Sequence, residues 1–276
     1  MTEPALHIEY HPAATAPKRV LTIVHGLGEH TRRYRYVADW LNARGTHVLI
    51  GDLPGHGQSP GIRGHVDDFS QYIDAACALQ SSAVGRWGTG LPHFVLGHSL
   101  GGLITALAAP RLQDRPEIRG LLLSSPCFGA TVETPAWRLA LGRVLVRFKP
   151  TLQQPNNIDP STVTRSPEIA ALYGQDPDVL RTVTLGWYFA FVDAMAQAMS
   201  AAPAIHLPVG VWQAGADKIV SPAHTRQWTE ACASVDKAYQ ELDGLYHEIL
   251  NEPERDDVLA AMLTWMTEHE AAPQPV

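Results

Sequence analysis

Gly97-His98-Ser99-Leu100-Gly101-Gly102 is the stretch that most narrows the folds open to this chain. The apolar run Phe94-Val95-Leu96 precedes it and the helical run Leu103 to Ala109 follows it, with Pro110 expected to stop the helix. A strand that turns abruptly into a helix holds its central serine in a strained conformation with the hydroxyl at the tip. The flanking positions must then be glycine, because a Cβ there would clash. The N–H of Leu100, at the positive end of the following helix, is where an oxyanion would be held. With 22 glycines in 276 residues, only about 0.08 such G-x-S-x-G matches are expected by chance, and the strand-helix context sharpens the signal further.

Alternation elsewhere predicts a parallel sheet. Leu6 to Tyr10 reads as an edge strand, and Arg19 to His25 as a buried one that ends in the loop Gly26 to His30. A helix over Arg33 to Ala43 and a strand over Thr46 to Ile50 complete a βαβ unit. The Gly- and Pro-dense loop Asp52 to Gly61 follows, and its Asp52 and His56 are assigned structural roles, bonding neighbouring backbone. A helix from Asp67 to Val84 leads back to the serine turn, and Ile118 to Pro126 forms the next strand and its exit. The alternation lapses from Phe128 to Leu207 and resumes with strand Val209 to Gln213, helix Ala223 to Ala233, strand Lys237 to Leu242 and helix Glu254 to Glu268. Core segments 1–127 and 208–276 are therefore expected to flank an insertion, 128–207, that caps the sheet edge.

Within the insertion, helices are predicted over Pro135 to Phe148 and Pro177 to Ala201, separated by a stretch rich in Pro, Asn, Ser and Thr. The second carries Leu180, Val183, Trp187 and Phe191 on one stripe, with further apolar residues on other faces. These four are the candidate substrate contacts; a helix packed wholly inside the insertion reads equally well. Asp193 and Gln197 argue against a membrane span. Arg138, Arg143, Arg147 and Lys149 on the first helix form a solvated face or, alternatively, a contact for polar head groups.

Ser99 needs a general base, and the base needs a carboxylate that fixes its tautomer. The loops after the last two strands each offer one. Ala214 to Pro222 contains Asp217, and Asp243 to Glu248 contains His247, which gives the chain order Ser, acid, His. Asp243 is the rival acid, and Glu248 is read as a group that fixes its loop. His224 falls in a helix, and His206 and His269 lie away from these loops. A second oxyanion N–H is expected from Leu27, after the strand ending in His25-Gly26. No G-x-G-x-x-G follows a first strand and no metal-ligand spacing is present, so neither cofactor nor metal is implied.

Composition removes other classes. A formal charge of -7 with scattered Lys and Arg argues against nucleic acid as a partner. Met1 to Arg19 has no apolar core of a signal peptide, and Cys77, Cys127 and Cys232 are odd in number and far apart. A cytoplasmic protein without disulfides is expected.

Taken together, these stretches resemble the monoacylglycerol lipase and lysophospholipase-like group of the α/β-hydrolase superfamily. The resemblance is carried by His25-Gly26-Leu27-Gly28-Glu29-His30 with Arg33-Tyr34, by Asp52 to Gly61 with Arg63-Gly64-His65, by Gly97 to Gly102, by Asp217, and by Tyr246-His247-Glu248 through Asn251-Glu252-Pro253. It implies the α/β-hydrolase fold, a mostly parallel central sheet flanked by helices, with a helical cap inserted after the sixth strand. It also implies Ser99, Asp217 and His247 as triad, Leu27 and Leu100 as oxyanion donors, and a cap that shapes an acyl channel. The family opens with a two-stranded hairpin, whereas only Leu6 to Tyr10 is available here, which leaves the sheet one strand short. The expected activity is hydrolysis of an acyl ester, a glyceride or lysophospholipid, through an acyl-enzyme and without a cofactor. An acyltransferase, a thioesterase or a small-ester esterase would use the same triad, and a binding module with decayed catalysis would share the fold. The apolar cap permits transient membrane contact.

Overall fold

The computed structural model describes residues 5–131 and 135–271. The outermost residues of the two core segments, 1–4 and 272–276, and 132–134 of the insertion lie outside the described residues. Strands β1 (Ile8–His11), β2 (Arg19–Val24), β3 (Thr46–Gly51), β4 (His93–His98), β5 (Ile118–Ser124), β8 (Val209–Ala214) and β9 (Lys237–Leu242) form one sheet in the order β1-β3-β2-β4-β5-β8-β9. β1 runs antiparallel to β3 and every other pair is parallel. The fully buried stretches Arg19–Val24 and His93–His98 take the sheet centre, as covering both faces of a parallel strand requires.

Helices cover both faces. α1 (Arg35–Asn42) and α9 (Arg255–Glu268) pack on one, through Val37, Leu41, Val258 and Met262. α2 (Ser70–Trp87), α3 (Leu100–Leu112) and α8 (Pro222–Ala231) pack on the other, through Tyr72, Leu103, Ile104 and Trp228. Pro110 does not stop α3, which runs to Leu112. A proline in the last turn removes one hydrogen bond, and the burial of Ala108, Ala109 and Leu112 outweighs that loss.

The insertion follows β5, the fifth strand along the chain, so the expected position after a sixth strand counts one more strand than the described residues contain. It holds α4 (Ala136–Leu145), the short pair β6 (Gln153–Pro155) and β7 (Thr182–Thr184), α5 (Pro160–Val163), α6 (Pro167–Gln175) and α7 (Leu185–Ala201). The helix expected from Pro177 begins only at Leu185. Thr182, Val183 and Thr184 are β-branched and pair antiparallel with Gln153–Pro155, and the Thr184 hydroxyl then caps α7 by accepting the Trp187 N–H. α5 and α6 were not anticipated, although Asp159 before Pro160 and Ser166 before Pro167 both cap helices by accepting backbone N–H groups. α7 lies along the α3 side of the core, burying Trp187, Ala194 and Ala198. Among the described residues no helix is long and apolar enough to cross a membrane.

Candidate active site

The turn between β4 and α3 is forced by the packing around it. Ser99 has φ +52° and ψ −116°, a conformation that costs an L-residue of order 1–3 kcal/mol. A Cβ on Gly97 would lie 2.4 Å from the Gly101 carbonyl oxygen, and one on Gly101 would lie 2.0 Å from that of Val24. The Ser99 N–H donates to Ser124 O at 2.9 Å, and its carbonyl accepts from Gly102, Leu103 and Cys127.

Loops after β8 and β9 bring two further groups to this hydroxyl. His247 Nε2 is 2.8 Å from Ser99 Oγ, and its Nδ1 is 2.8 Å from Asp217 Oδ2. Asp217 Oδ1 accepts the N–H groups of Ile219 and Val220 at 2.8 and 3.0 Å, while Oδ2 also accepts from Gln213 Nε2 at 3.3 Å. Burial works against this carboxylate, yet the His247 charge and these donors hold it below the ordinary aspartate value. Burial also opposes a charged His247, and there too the neighbours win, since Asp217, Glu248 and Glu29 raise it above the ordinary histidine value. An ionised Asp217 accepts the Nδ1 proton, which leaves Nε2 unprotonated toward Ser99. Asp243 belongs to the turn after β9 and takes no part in this line of contacts.

All three groups are nearly buried, at 9%, 5% and 8% exposure for Ser99, His247 and Asp217. Ser99 and His247 open into a cavity of ≈ 630 Å³, which Gly26, Leu27 and Leu100 also line. Among the described residues the Leu27 and Leu100 N–H groups donate to no protein acceptor. Trp187, Phe191 and Val183 line the cavity, with the Trp187 and Phe191 rings stacked at 4.9 Å. Leu180 does not: it is buried beside the loop after β2, where its N–H donates to Gly28 O at 3.0 Å. Of the cations read from the sequence as an alternative head-group contact, Arg138 lines the cavity, and sequence reasoning missed the other polar lining. Asn157, Asp159, Thr162 and Lys218 face the same cavity, the first three from the stretch rich in Pro, Asn, Ser and Thr.

Behind the site lies a charged network of the motif residues. Glu29 Oε2 accepts from Gly26 N–H and Tyr34 OH, each at 2.7 Å, and Arg33 bridges Glu29 Oε1 at 3.1 Å and Glu248 Oε2 at 2.6 Å. Asn251 Nδ2 also donates to Glu248 at 2.9 Å, consistent with Glu248 fixing its loop. Asp52 and His56 bond backbone: Asp52 accepts from Thr31 and Gln58 N–H, and His56 Nδ1 lies 3.0 Å from Pro54 O. Among the described residues one group could hold a cation, His30 with Asp176 and Asp178, whose ligand atoms lie within 4.8 Å of one another. Its acids are already paired, Asp176 with His30 at 2.8 Å and Asp178 with Arg32, so the group serves as a tie between core and insertion.

The family described as "Serine aminopeptidase, S33" matches residues 15–254. The chain is 36% identical over 249 residues to phospholipase YtpA of Bacillus subtilis, covering 90% of this chain and 95% of that one. It belongs to the monoacylglycerol lipase and phospholipase-like α/β hydrolases. The monoacylglycerol lipase of Mycolicibacterium smegmatis is 32% identical, over 92% of this chain and 90% of the relative. The crystal structure of the Paleococcus ferrophilus monoacylglycerol lipase superposes with TM-score 0.83 at 33% identity, covering 96% and 99% of the two chains. As an α/β hydrolase of this group the protein is a serine ester hydrolase, and the Ser99–His247–Asp217 contacts form a triad-like line.

Proposed function

We propose that this α/β hydrolase cleaves long-chain monoacyl esters, monoacylglycerols or lysophospholipids, with Ser99 as nucleophile, His247 as general base then acid, and Asp217 as its orienting carboxylate. The observation that carries the reading is the hydrogen-bonded line from Asp217 through His247 to Ser99, opening into a cavity walled by Trp187, Phe191 and Val183. His247 takes the Ser99 proton as Oγ attacks the ester carbonyl. The Leu27 and Leu100 N–H groups then hold the developing oxyanion, and the proton passes to the leaving alcohol. Water, activated by the same histidine, releases the acid. Residues 128–207 act as the cap that gives the acyl chain its apolar wall, and the polar groups of Asn157, Thr162 and Lys218 face the head group.

The reading is tested by turnover of a monoacylglycerol series from short to long chains. Rates should climb with chain length, because each buried methylene contributes about 0.8 kcal/mol until the cavity is filled. Activity confined to short esters would leave only the esterase reading, and activity on acyl thioesters alone would replace it with a thioesterase.

The rate should also carry an acid limb set by His247. Its raised pKa means that kcat/KM climbs with pH through a value above 6.5, and a pH–rate profile locates it. Stability has the opposite sign. The protonated histidine is favoured in the folded state, so its contribution is complete below the unfolded value and is lost as pH rises through the folded one.

The cap also supplies the contact with a lipid surface. α4 buries no residue, and Trp137 and Phe148 are 64% and 75% exposed, with Arg138, Arg147 and Lys149 beside them. Apolar side chains flanked by cations suit an interface of acyl chains and phosphate head groups. Replacing Trp137 and Phe148 together by serine should weaken sedimentation with phospholipid vesicles at least tenfold, while turnover of a water-soluble short ester stays within twofold.

A further inference from the structure

Gly26 is held by two side chains outside the triad, His25 at its carbonyl and Glu29 at its N–H. Leu53 donates its N–H to His25 Nε2 at 2.9 Å, so that nitrogen carries no proton. The proton of the neutral ring is therefore on Nδ1, which lies 2.8 Å from Gly26 O and donates to it. The Glu29 N–H adds a longer bond to the same oxygen, 3.3 Å, and the Glu29 carboxylate accepts the Gly26 N–H at 2.7 Å. Burial lowers the histidine's proton affinity, so the ring stays neutral around pH 7. Because a trans peptide places C=O and the following N–H on opposite sides, fixing the Gly26 carbonyl fixes the direction of the Leu27 N–H. Leu27 and Ser99 line the same cavity.

We propose that His25 is a positioning residue of the oxyanion hole, a neutral Nδ1–H imidazole that holds the Gly26 carbonyl so that the Leu27 N–H faces the ester oxygen. Leu53, in the loop after β3, is the anchor that sets its tautomer. The inference rests on the serine-esterase reading above and adds a residue to it. Its effect belongs to the transition state, because the N–H is worth most when the oxygen carries a full charge.

His25→Asn and His25→Leu form the test, since the two replacements are nearly equal in size and only asparagine can donate to Gly26 O. The wild type is first shown to hydrolyse a monoacylglycerol and to lose that activity in Ser99→Ala; failure there overturns the esterase reading and not the His25 assignment. Expected for His25→Leu is a fall in kcat of about 100-fold with KM within about threefold, as for a misplaced oxyanion donor. A boronic acid, whose adduct on Ser99 places an oxygen in the hole, should lose affinity by the same factor as kcat/KM. His25→Asn should stay within about tenfold of wild type on both measures. An unchanged kcat in His25→Leu overturns the proposal, as does a loss expressed only in KM. Equal impairment of both variants with equal loss of melting temperature, or failure of both to fold, assigns His25 to the fold alone.

Discussion

Ser99→Ala is expected to lower kcat/KM by about five orders of magnitude, because the variant loses the covalent route and keeps only binding and the oxyanion donors. KM should hold within a fewfold, since the Oγ fills little of the ≈ 630 Å³ cavity. The companion variant separates chemistry from strain. Ser99 sits at φ +52°, and alanine inherits that conformation, so its melting temperature should stay close to wild type. Glycine adopts it without strain. Relief of about 1–3 kcal/mol exceeds the 0.5–1 kcal/mol of extra chain entropy that glycine loses on folding, so Ser99→Gly should melt a few degrees higher while being equally inactive. Initial rates on a monoacylglycerol, beside calorimetric melting of both variants, check the two halves separately.

Gly101→Ala should remove the folded protein. On helix propensity alone the change would stabilise α3 by about 1 kcal/mol. Against this, the new Cβ would meet Val24 O at 2.0 Å and His25 O at 2.6 Å, both backbone atoms of the sheet centre and its exit. β2 cannot retreat without opening its pairing with β4, which runs Val20–Val24 against His93–Gly97. Overpacking against an immovable neighbour costs about 3 kcal/mol or more, a large share of a domain's usual 5–15 kcal/mol. Soluble yield and near-ultraviolet circular dichroism of Gly101→Ala measure the loss. Gly85→Ala on α2, where a Cβ meets nothing within 4 Å, is the control that should fold normally.

The site was legible because each of its groups has a local reason to be where it is. Ser99 is flanked by the glycines its turn requires, and Asp217 and His247 occupy loops that leave consecutive late strands. Their mutual contacts span large sequence separations, yet the parallel topology carries each loop to the same sheet edge. The insertion was harder. The stripe from Leu180 to Phe191 has helical spacing, but Thr182–Thr184 obtains a strand partner from Gln153–Pro155, a gain that periodicity cannot register. Asp159-Pro160 and Ser166-Pro167 did carry helix-start signals, masked by the surrounding Asn and Thr. Leu180 was assigned to the cavity by its place on a helix that does not exist there. The grip of His25 on the oxyanion peptide has no sequence signature beyond the residue itself, since it depends on Leu53 approaching from another loop.

The position of the insertion also bears on how the protein folds. β5 and β8 are neighbours in the sheet, with Leu121 to Ser124 paired against Val209 to Trp212, although the whole insertion separates them in the chain. Closing so long a loop has an entropic cost that must be met before the β5–β8 pairing forms. The strands preceding Asp217 and His247 are the two that must wait for it, whereas β2, β3 and β4 associate across shorter separations. During refolding from denaturant, helix signal should therefore return before esterase activity, and the recovery of turnover marks the moment the sheet is complete.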